Sequence, residues 1–395
     1  MDDKSILLDR KKVKKTEINN LAEYIQLISD QKGRYKYFRG ESNRYKTLNG
    51  SAFRPYGGGE SKTKEYPFLE MMKEFKRAVW NNIDSNTKNT FLAFCQHYGI
   101  PSNLVDISSS PLTALYFACK EGKVKLEDEE IYMDDKHGYV YEFSADHMIP
   151  ITELIDKLDG DNFLIEISLD KLDFISDFTR VLYEYERKNL KGFLNLFDQL
   201  LNDYKANTKL KNIAEANESD ESSANIVGLV IPEINNYYAM SKDENWADLL
   251  AEDETMTKIS KMRPFCDAAY CNTLYYLTLL RKYIKFILNH KEYVTYINGI
   301  PLFVYDPILS FTRAINQKSV FIYQAFLSYD DEVYNHHVLP LQSLLPDEVI
   351  VINDKESILS ELDYLGINEE FIYNDFDTIA KSIKLKYSNK IISKT

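Results

Sequence analysis

The chain has 395 residues, of which 44% are hydrophobic and 13% aromatic, so it can bury a sizeable core. This length suits two modest domains, or one domain with a large insertion. A formal net charge of −13 argues against non-specific binding to nucleic acid or anionic membranes, because both attract positive surfaces. The basic run from Arg10 to Lys15 is a local exception. We interpret it as a solvated helix start or tail in preference to a nucleic-acid contact.

The cysteine pattern and the N-terminal residues indicate a cellular compartment. No two cysteines form a CxxC pair, and each lies in an apolar helical context: Cys95, Cys119, Cys266 and Cys271. We expect buried thiols in a reducing cytosol. No signal-peptide pattern and no window of 18 uncharged apolar residues is found, so we expect a cytoplasmic protein with no membrane contact.

The first part of the chain alternates helical and strand patterns. Helical spacing of apolar residues predicts four helices, at 16–29, 67–80, 88–98 and 110–120. Thr16 is expected to cap the first helix, whereas Ser110 and Pro111 should open the fourth. Short apolar runs predict three strands, at 34–39, 103–107 and 138–143.

From about residue 145 the pattern changes. Long helical patterns cover 181–204 and 267–289. Between them lie an acidic, Ser-rich stretch at 217–223, interpreted as a linker or exposed loop, and an apolar strand at 226–231. Afterwards the sequence predicts strands at 302–305, 319–329 and 348–352, and helices at 355–364 and 376–386. The prediction is therefore an α+β fold, in which a mixed strand core is flanked by helices and broken by a large, mainly helical insertion.

The stretch YKYFRGESN, residues 35–43, ends an apolar strand on Arg39 followed by Gly40. A buried guanidinium keeps its charge and is costly without an anionic or carbonyl partner. Either the protein supplies that partner or a ligand does. A pairing of Arg39 with Asp106 would be a purely structural solution.

The densest polar segment runs from Gln96 to Pro111. It ends one predicted helix with Gln96 and His97, passes through a short strand that contains Asp106, and opens another helix. Three serines precede that helix: Ser108, Ser109 and Ser110. Free N–H groups at a helix start favour an anion, so a phosphate could bind there. Simple helix capping is the preferred explanation of the serines taken alone, and the helix dipole explains a C-terminal histidine.

Other candidate sites are weaker. His336 and His337 are adjacent in an extended segment, so their rings would point to opposite faces. The sequence has no HExxH, CxxC, P-loop, GxGxxG or GxSxG motif, and we expect no metal. Gln317 and Glu332, before and after the long predicted strand, are the polar residues placed to face a cleft.

These motifs together resemble the FRG-domain family of bacterial and phage proteins, named for its Phe/Tyr-Arg-Gly motif. The resemblance rests on three segments: Tyr37 to Ser42, Gln96 to Ala118, and Arg313 to Phe321. It implies an FRG core in two parts, 16–144 and 301–390, with 145–300 as the insertion. The chain departs from the family at Ser102-Asn103, where Thr-Arg is usual, so a cation is missing there.

The resemblance also implies a function. FRG domains look like parts of antiviral defence systems, including abortive infection and toxin-type systems. Their order of motifs is similar to that of ADP-ribosyltransferases. By that likeness Arg39 would hold a dinucleotide phosphate, Ser108 would be the strand serine, and Gln317 or Glu332 would complete the catalytic set. Ligand contacts would come from Gln96, His97, Asp106, Ser109 and Ser110, with NAD+ as substrate.

Two functions therefore remain open. The first is an NAD+-consuming or ADP-ribosylating effector, which the ordered polar set favours. The second is a nucleotide-binding or phage-protein-sensing module without turnover, because Gln317 cannot supply a carboxylate to an oxocarbenium-like centre. In either case, residues 145–300 could offer a surface to a protein partner. A carboxylate in the cleft beside Arg39 would distinguish the two.

Overall fold

A computed structural model describes residues 5–31, 35–54, 67–121, 131–132, 136–158, 162–216, 250–262, 267–289, 297–309, 311–328, 338–374, 380 and 384. The chain forms two compact units. The first comprises residues 1–148, 304–324 and 344–395, and the second comprises 149–303 and 325–343. None of the helices in the described ranges is long and apolar enough to cross a membrane.

The described strands are β1 (Ser5–Leu8), β2 (Lys11–Ile18), β3 (Lys36–Glu41), β4 (Arg44–Tyr45), β5 (Leu104–Ser108), β6 (Ile131–Tyr132), β7 (Gly138–Ser144), β8 (Met148–Pro150), β9 (Leu302–Tyr305), β10 (Ser319–Tyr323), β11 (Phe326–Ser328), β12 (Val338–Pro340) and β13 (Glu348–Ile352).

The described helices are α1 (Leu21–Asp30), α2 (Phe68–Val79), α3 (Ser85–Asn89), α4 (Phe91–His97), α5 (Pro111–Cys119), α6 (Thr152–Ile155), α7 (Phe163–Ser168), α8 (Leu172–Lys188), α9 (Leu190–Ala216), α10 (Glu254–Met262), α11 (Ala268–Asn289), α12 (Thr312–Asn316), α13 (Lys355–Tyr364) and α14 (Glu369–Tyr373).

A mixed sheet is the framework of the first unit. Its strand order is β1-β2-β13-β7-β3-β5-β10-β9-β8, and the first seven strands of this order lie wholly in that unit. The pair β13 and β2 is parallel, whereas β13–β7, β7–β3 and β5–β10 are antiparallel. Strands β3 and β5, which carry Arg39 and Asp106, therefore lie side by side in the interior of the sheet, between β7 and β10. The predicted α+β class with a helical region in the middle is confirmed.

Helix α5 packs on one face of this sheet through its apolar side chains. Ser110 caps the helix by accepting from the N–H of Thr113, and Pro111 occupies its first turn, as the sequence predicts. The buried core under the helix includes Phe38, Leu115 and Ile350. Burial of such side chains contributes about 1.5–3 kcal/mol each.

Gly40 permits the close approach of α5 to β3. A Cβ atom added at Gly40 would lie 1.7 Å from the carbonyl oxygen of Ala114, far inside contact distance. Gly138 in β7 lies under the same helix, where a Cβ would come 2.3 Å from the oxygen of Ala118. The glycine that follows Arg39 therefore serves helix packing, and this packing fixes the backbone that carries the arginine.

The second unit is mainly helical. Helices α8 and α11 pack together, and Phe163, Phe178 and Phe303 form an edge-to-face aromatic cluster in its core. Strands β11 and β12 form a separate antiparallel pair. The unit thus has its own apolar core, built largely from residues of the long helical patterns.

The buried ionisable side chains of this second unit include Arg281 and Glu186. Arg281 of α11 is fully buried, and its guanidinium donates to Asp253, Asp170 and two backbone carbonyls. Glu186 of α8 is 1% exposed, and its carboxyl group accepts from Asn272 and Thr273 of α11. Burial raises the pKa of Glu186 to about 7, although these two hydrogen bonds lower it.

The structure corrects several predicted elements. The basic run 10–15 is neither a helix start nor a tail, because Lys11–Ile18 is strand β2, held between β1 and β13. The first helix accordingly begins at Leu21, and Asn20 replaces Thr16 as its cap. The predicted helix 88–98 consists of α3 and α4. The predicted strand 319–329 is divided into β10 and β11 at Gln324 and Ala325. The buried side chain of Gln324 accepts from the N–H of Gly50 and donates to Asn49.

Other predictions fall outside the described residues. These are the linker at 217–223, the strand at 226–231, Cys266, Glu332, the pair His336 and His337, and most of the helix at 376–386. The boundaries of the two-part FRG core remain a prediction.

Candidate functional site

A cavity of about 270 Å³ opens in the first unit where β3, β5, α4 and α5 meet the segment from Phe311 to Phe321. Its polar lining combines both signs of charge with hydrogen-bonding groups: Arg39, Glu41, Gln96, His97, Asp106, Ser108, Thr113, Arg313, Gln317 and Ser319. Phe38, Phe117, Phe311 and Phe321 add apolar walls. Concave sites that mix aromatic walls with a few convergent polar groups are typical ligand sites.

The side chain of Arg39 connects β3 and β5 beyond the point where their backbone pairing ends. Strands β3 and β7 pair over six positions, but β3 and β5 share a single register pair, Phe38 with Ser108. Beyond that pair the Nη1 group of Arg39 donates to the backbone oxygen of Asp106 at 2.6 Å. A side chain therefore bridges the two strands where a backbone ladder would otherwise continue.

The anionic partner of Arg39 is Glu41. Its Oε1 lies 2.5 Å from Nη2 of Arg39, and both side chains are about 15% exposed. Residues two apart on a strand share a face, so this pairing is local. Although burial opposes the charge, Glu41 and then Asp106 raise the pKa of Arg39. The expected pairing with the Asp106 carboxylate is replaced by the Asp106 carbonyl and by Glu41.

The carboxylate of Asp106 is instead oriented by Gln96. Nε2 of Gln96 donates to Oδ2 of Asp106 at 2.7 Å, and Oε1 of Gln96 accepts from the Ser102 hydroxyl at 2.7 Å. Because Ser102 is fully buried, it fixes the amide of Gln96 and hence the direction of the acid. Asp106 is itself exposed, so its carboxylate is available at the cavity wall.

An aromatic pair forms another wall. The ring of His97 stacks on Phe311, with centroids 4.2 Å apart and an interplanar angle of 27°. Burial, together with nearby Arg313, lowers the pKa of His97, although Asp106 opposes this. The lowered pKa favours the neutral imidazole, in which one ring nitrogen can accept a proton or hydrogen bond.

The three serines hold the turn into α5. The hydroxyl of Ser108 donates to the Gln317 carbonyl at 2.6 Å and accepts from the N–H of Ser110 at 2.9 Å. Ser109 donates its N–H to the Lys318 carbonyl, and Ser110 caps the helix. Ser108 lines the cavity, so the polar segment and the late strand are joined at this point. A catalytic role for Ser108 stays a prediction.

The two candidates for the third catalytic position have different outcomes. Gln317 follows α12, lines the cavity and donates from its amide to the Ile372 carbonyl at 3.3 Å. Glu332 lies outside the described residues. Within the described ranges, no group of three or more His, Cys, Asp or Glu side chains is arranged to hold a metal ion.

One comparison with known proteins found a match for this part of the chain. The sequence model of one family, described as the FRG domain, matches residues 34–127. That segment supplies Arg39, Gln96, His97, Asp106 and Ser108 to the cavity. The chain therefore contains an FRG domain. No curated protein and no solved structure matches the chain.

Sequence analysis gave no site role to several residues that line the cavity, among them Glu41, Phe311 and Arg313, although Glu41 and Arg313 lie in segments that carry the family resemblance. Glu41 could have been found, because it lies two positions after Arg39 in the same strand. Phe311 and Arg313 reach His97 across more than 200 positions of chain, and no local pattern indicates such a contact.

Proposed function

We propose that the cavity binds NAD+ and cleaves its nicotinamide–ribose bond, and that the protein is an NAD+-consuming effector. One observation carries this proposal: two arginines, a stacked aromatic pair and an oriented, accessible carboxylate line the same cavity. A dinucleotide presents phosphates, flat rings and a ribose carbon that becomes cationic on cleavage. Each of these features has a complementary group in the cavity.

The residues divide into binding and reacting groups. Arg39 and Arg313 would hold phosphate oxygens, since guanidinium groups match phosphate geometry. The His97–Phe311 pair would provide a flat apolar surface for a ring. The Asp106 carboxylate would face ribose C1′, where positive charge develops as nicotinamide leaves.

The reaction balances with water as the acceptor. The bond between C1′ and the nicotinamide nitrogen breaks, and the bonding pair leaves with neutral nicotinamide. A water oxygen forms the new bond to C1′, and neutral His97 accepts the proton that the water loses. The products are ADP-ribose, nicotinamide and one proton. A hydroxyl or carboxylate of a macromolecule in place of water would give ADP-ribosylation.

The size of the cavity limits the binding mode. At about 270 Å³ it is slightly smaller than the usual range of small-molecule sites, about 300–1,000 Å³. We therefore place the nicotinamide riboside half of NAD+ and the adjacent phosphate inside, with the adenosine half outside.

The test is nicotinamide release from NAD+. Asp106→Asn keeps the size of the side chain and removes the charge, so we expect release to fall by about 10²–10³ in the folded variant. Asp363→Asn, an exposed position on α13, is the matched control and should match wild type. Undiminished release by Asp106→Asn, or none from wild type, would refute the catalytic proposal.

A second candidate is nucleotide sensing without turnover. It is favoured by the pairing of both key groups with the protein itself: Arg39 with Glu41, and Asp106 with Gln96. A sensor would bind NAD+ or ADP-ribose with a measurable dissociation constant and release no nicotinamide. Binding and release measured on one preparation therefore separate the two candidates.

The cellular role we propose is that of an effector in an antiphage or toxin-type system, as the FRG resemblance implies. Its trigger would be a protein partner bound through residues 145–300. This region exposes the apolar side chains of Leu190 and Met262, at 50% and 54%. In cells challenged with phage, Leu190→Ser with Met262→Ser should abolish protection while nicotinamide release in vitro persists. Full protection by this double variant would contradict the partner proposal.

A further inference from the structure

One edge of the Arg39 guanidinium is incompletely bonded. Nη1 donates to the Asp106 carbonyl at 2.6 Å, and Nη2 is 2.5 Å from Oε1 of Glu41. The third nitrogen, Nε, is buried and has no hydrogen-bond partner. Since Nε and Nη2 lie side by side, the edge that binds two-oxygen anions has only one of its two donors occupied.

The position of Glu41 on strand β3 accounts for the unoccupied donor of this edge. Glu41 extends from the same strand two residues further on, so its backbone position is fixed relative to Arg39. From there one carboxylate oxygen reaches Nη2, and Nε stays unbonded. A buried N–H group without an acceptor costs free energy comparable to a lost hydrogen bond. The free protein therefore keeps an unsatisfied donor in the wall of its cavity.

A phosphoryl group would satisfy the edge better than Glu41 does. Two phosphate oxygens span Nε and Nη2 of an arginine in the bidentate arrangement, which one oxygen of Glu41 does not achieve. Glu41 lines the same cavity as Arg39, so both groups face the space that a ligand would enter. The carboxylate and the ligand phosphate would then compete for one edge.

We propose that the Nε–Nη2 edge of Arg39 is the phosphoryl subsite of the cavity, and that Glu41 occupies it in the free protein and is displaced by the ligand. Glu41 is thus the residue that sets affinity. It restricts the site to ligands whose phosphate outcompetes an internal carboxylate. This inference deepens the proposed function and rests on it for the identity of the ligand.

The probe is ADP, titrated calorimetrically at fixed ionic strength. Glu41→Gln retains an oxygen near Nη2 but removes the competing charge, so ADP should bind at least tenfold more tightly than to wild type, about 1.4 kcal/mol. Adenosine, which has no phosphate, should bind both proteins equally. Inorganic phosphate should show the same gain as ADP, which separates the phosphoryl subsite from base recognition.

The matched control is Glu17→Gln. Glu17 forms a similar i, i+2 ion pair with Lys15 on strand β2, but it does not line the cavity. This variant should bind ADP as wild type does. Equal or weaker ADP binding by folded Glu41→Gln would overturn the proposal, as would an equal gain for adenosine.

A second variant tests the role of Glu41 if Glu41→Gln does not fold. If Glu41→Gln lowers the melting temperature so far that titration fails, Glu41→Asp keeps the charge and shortens the side chain by one methylene. Its carboxylate would compete less well, and ADP should again bind more tightly than to wild type; unchanged binding would overturn the proposal. Nicotinamide release is a separate readout, so tight ADP binding without release would refute catalysis while supporting this subsite.

Discussion

Two arginines, one fully buried and one largely buried, lie in different units and have opposite surroundings. Arg281 of the second unit has 0% side-chain exposure, and each of its guanidinium nitrogens bonds to an oxygen: Nε to Asp253, Nη1 to the carbonyls of Ile167 and Leu169, and Nη2 to Asp170 and Asp253. Arg39 of the first unit is 14% exposed, lines a cavity and has an unpartnered Nε.

The difference distinguishes a structural arginine from a candidate binding arginine. A guanidinium with every donor occupied has no capacity left for a ligand, whereas one with an open edge does. Both side chains are charged and largely removed from solvent, at 0% and 14% exposure, so these properties alone do not identify the binding group. The completeness of the hydrogen bonding distinguishes the two arginines.

The largest expected effect comes from removing the fully bonded arginine. Arg281→Met leaves Asp253 without its buried partner, so the free energy of unfolding of the second unit should fall by about 3–5 kcal/mol. Urea unfolding measures the change. The neighbouring Lys282→Met, which removes a surface ion pair with Glu252, should cost less than about 1 kcal/mol. A loss as small as that of the control would mean that Arg281 is not structural.

Glu186 extends the comparison to a buried acid whose described hydrogen-bond partners are neutral. Its pKa is raised from 4.5 to about 7, so the carboxyl group stays protonated up to a higher pH in the native state than in the unfolded chain. The stabilising contribution is complete below about pH 4.5 and is lost as the pH rises to about 7. The loss is about 3 kcal/mol at most.

Glu186→Gln should abolish this pH dependence. The amide stays neutral, Asn272 can still donate to its oxygen, and the Thr273 hydroxyl can turn to accept. Urea unfolding at pH 5 and pH 8 measures the effect, with exposed Glu184→Gln as the control. A variant that loses as much stability as wild type between these two pH values would contradict the raised pKa.

Gly40 tests how firmly the backbone beside Arg39 is held. Gly40→Ala places a Cβ against the Ala114 carbonyl, so either α5 or β3 must shift, at a cost of about 1–3 kcal/mol. Gly99→Ala is an informative contrast, because a Cβ there meets nothing and only its φ of +78° disfavours alanine. Thermal melting should rank Gly40→Ala below Gly99→Ala; the opposite order would contradict the packing role of Gly40.

Local signals predicted much of the fold and part of the site. Ser110 and Pro111 define the start of α5 because capping depends on adjacent residues. Strand β2 was missed because its lysines suggested a solvated segment, and its structure depends on pairing with β13, more than 300 positions away. The same limit applies to the cavity: the motifs indicated Arg39, His97 and Asp106, but the stacking of Phe311 on His97 is a tertiary contact.

The central claim is that the open edge of Arg39 binds a ligand phosphate, and Arg39→Lys tests it most directly. Lysine keeps the charge but loses the planar two-donor edge. ADP-ribose titrated into the folded variant should bind at least tenfold more weakly than into wild type, about 1.4 kcal/mol, with the melting temperature measured alongside. Wild-type affinity for ADP-ribose in a folded Arg39→Lys protein, or no binding by wild type, would contradict the claim.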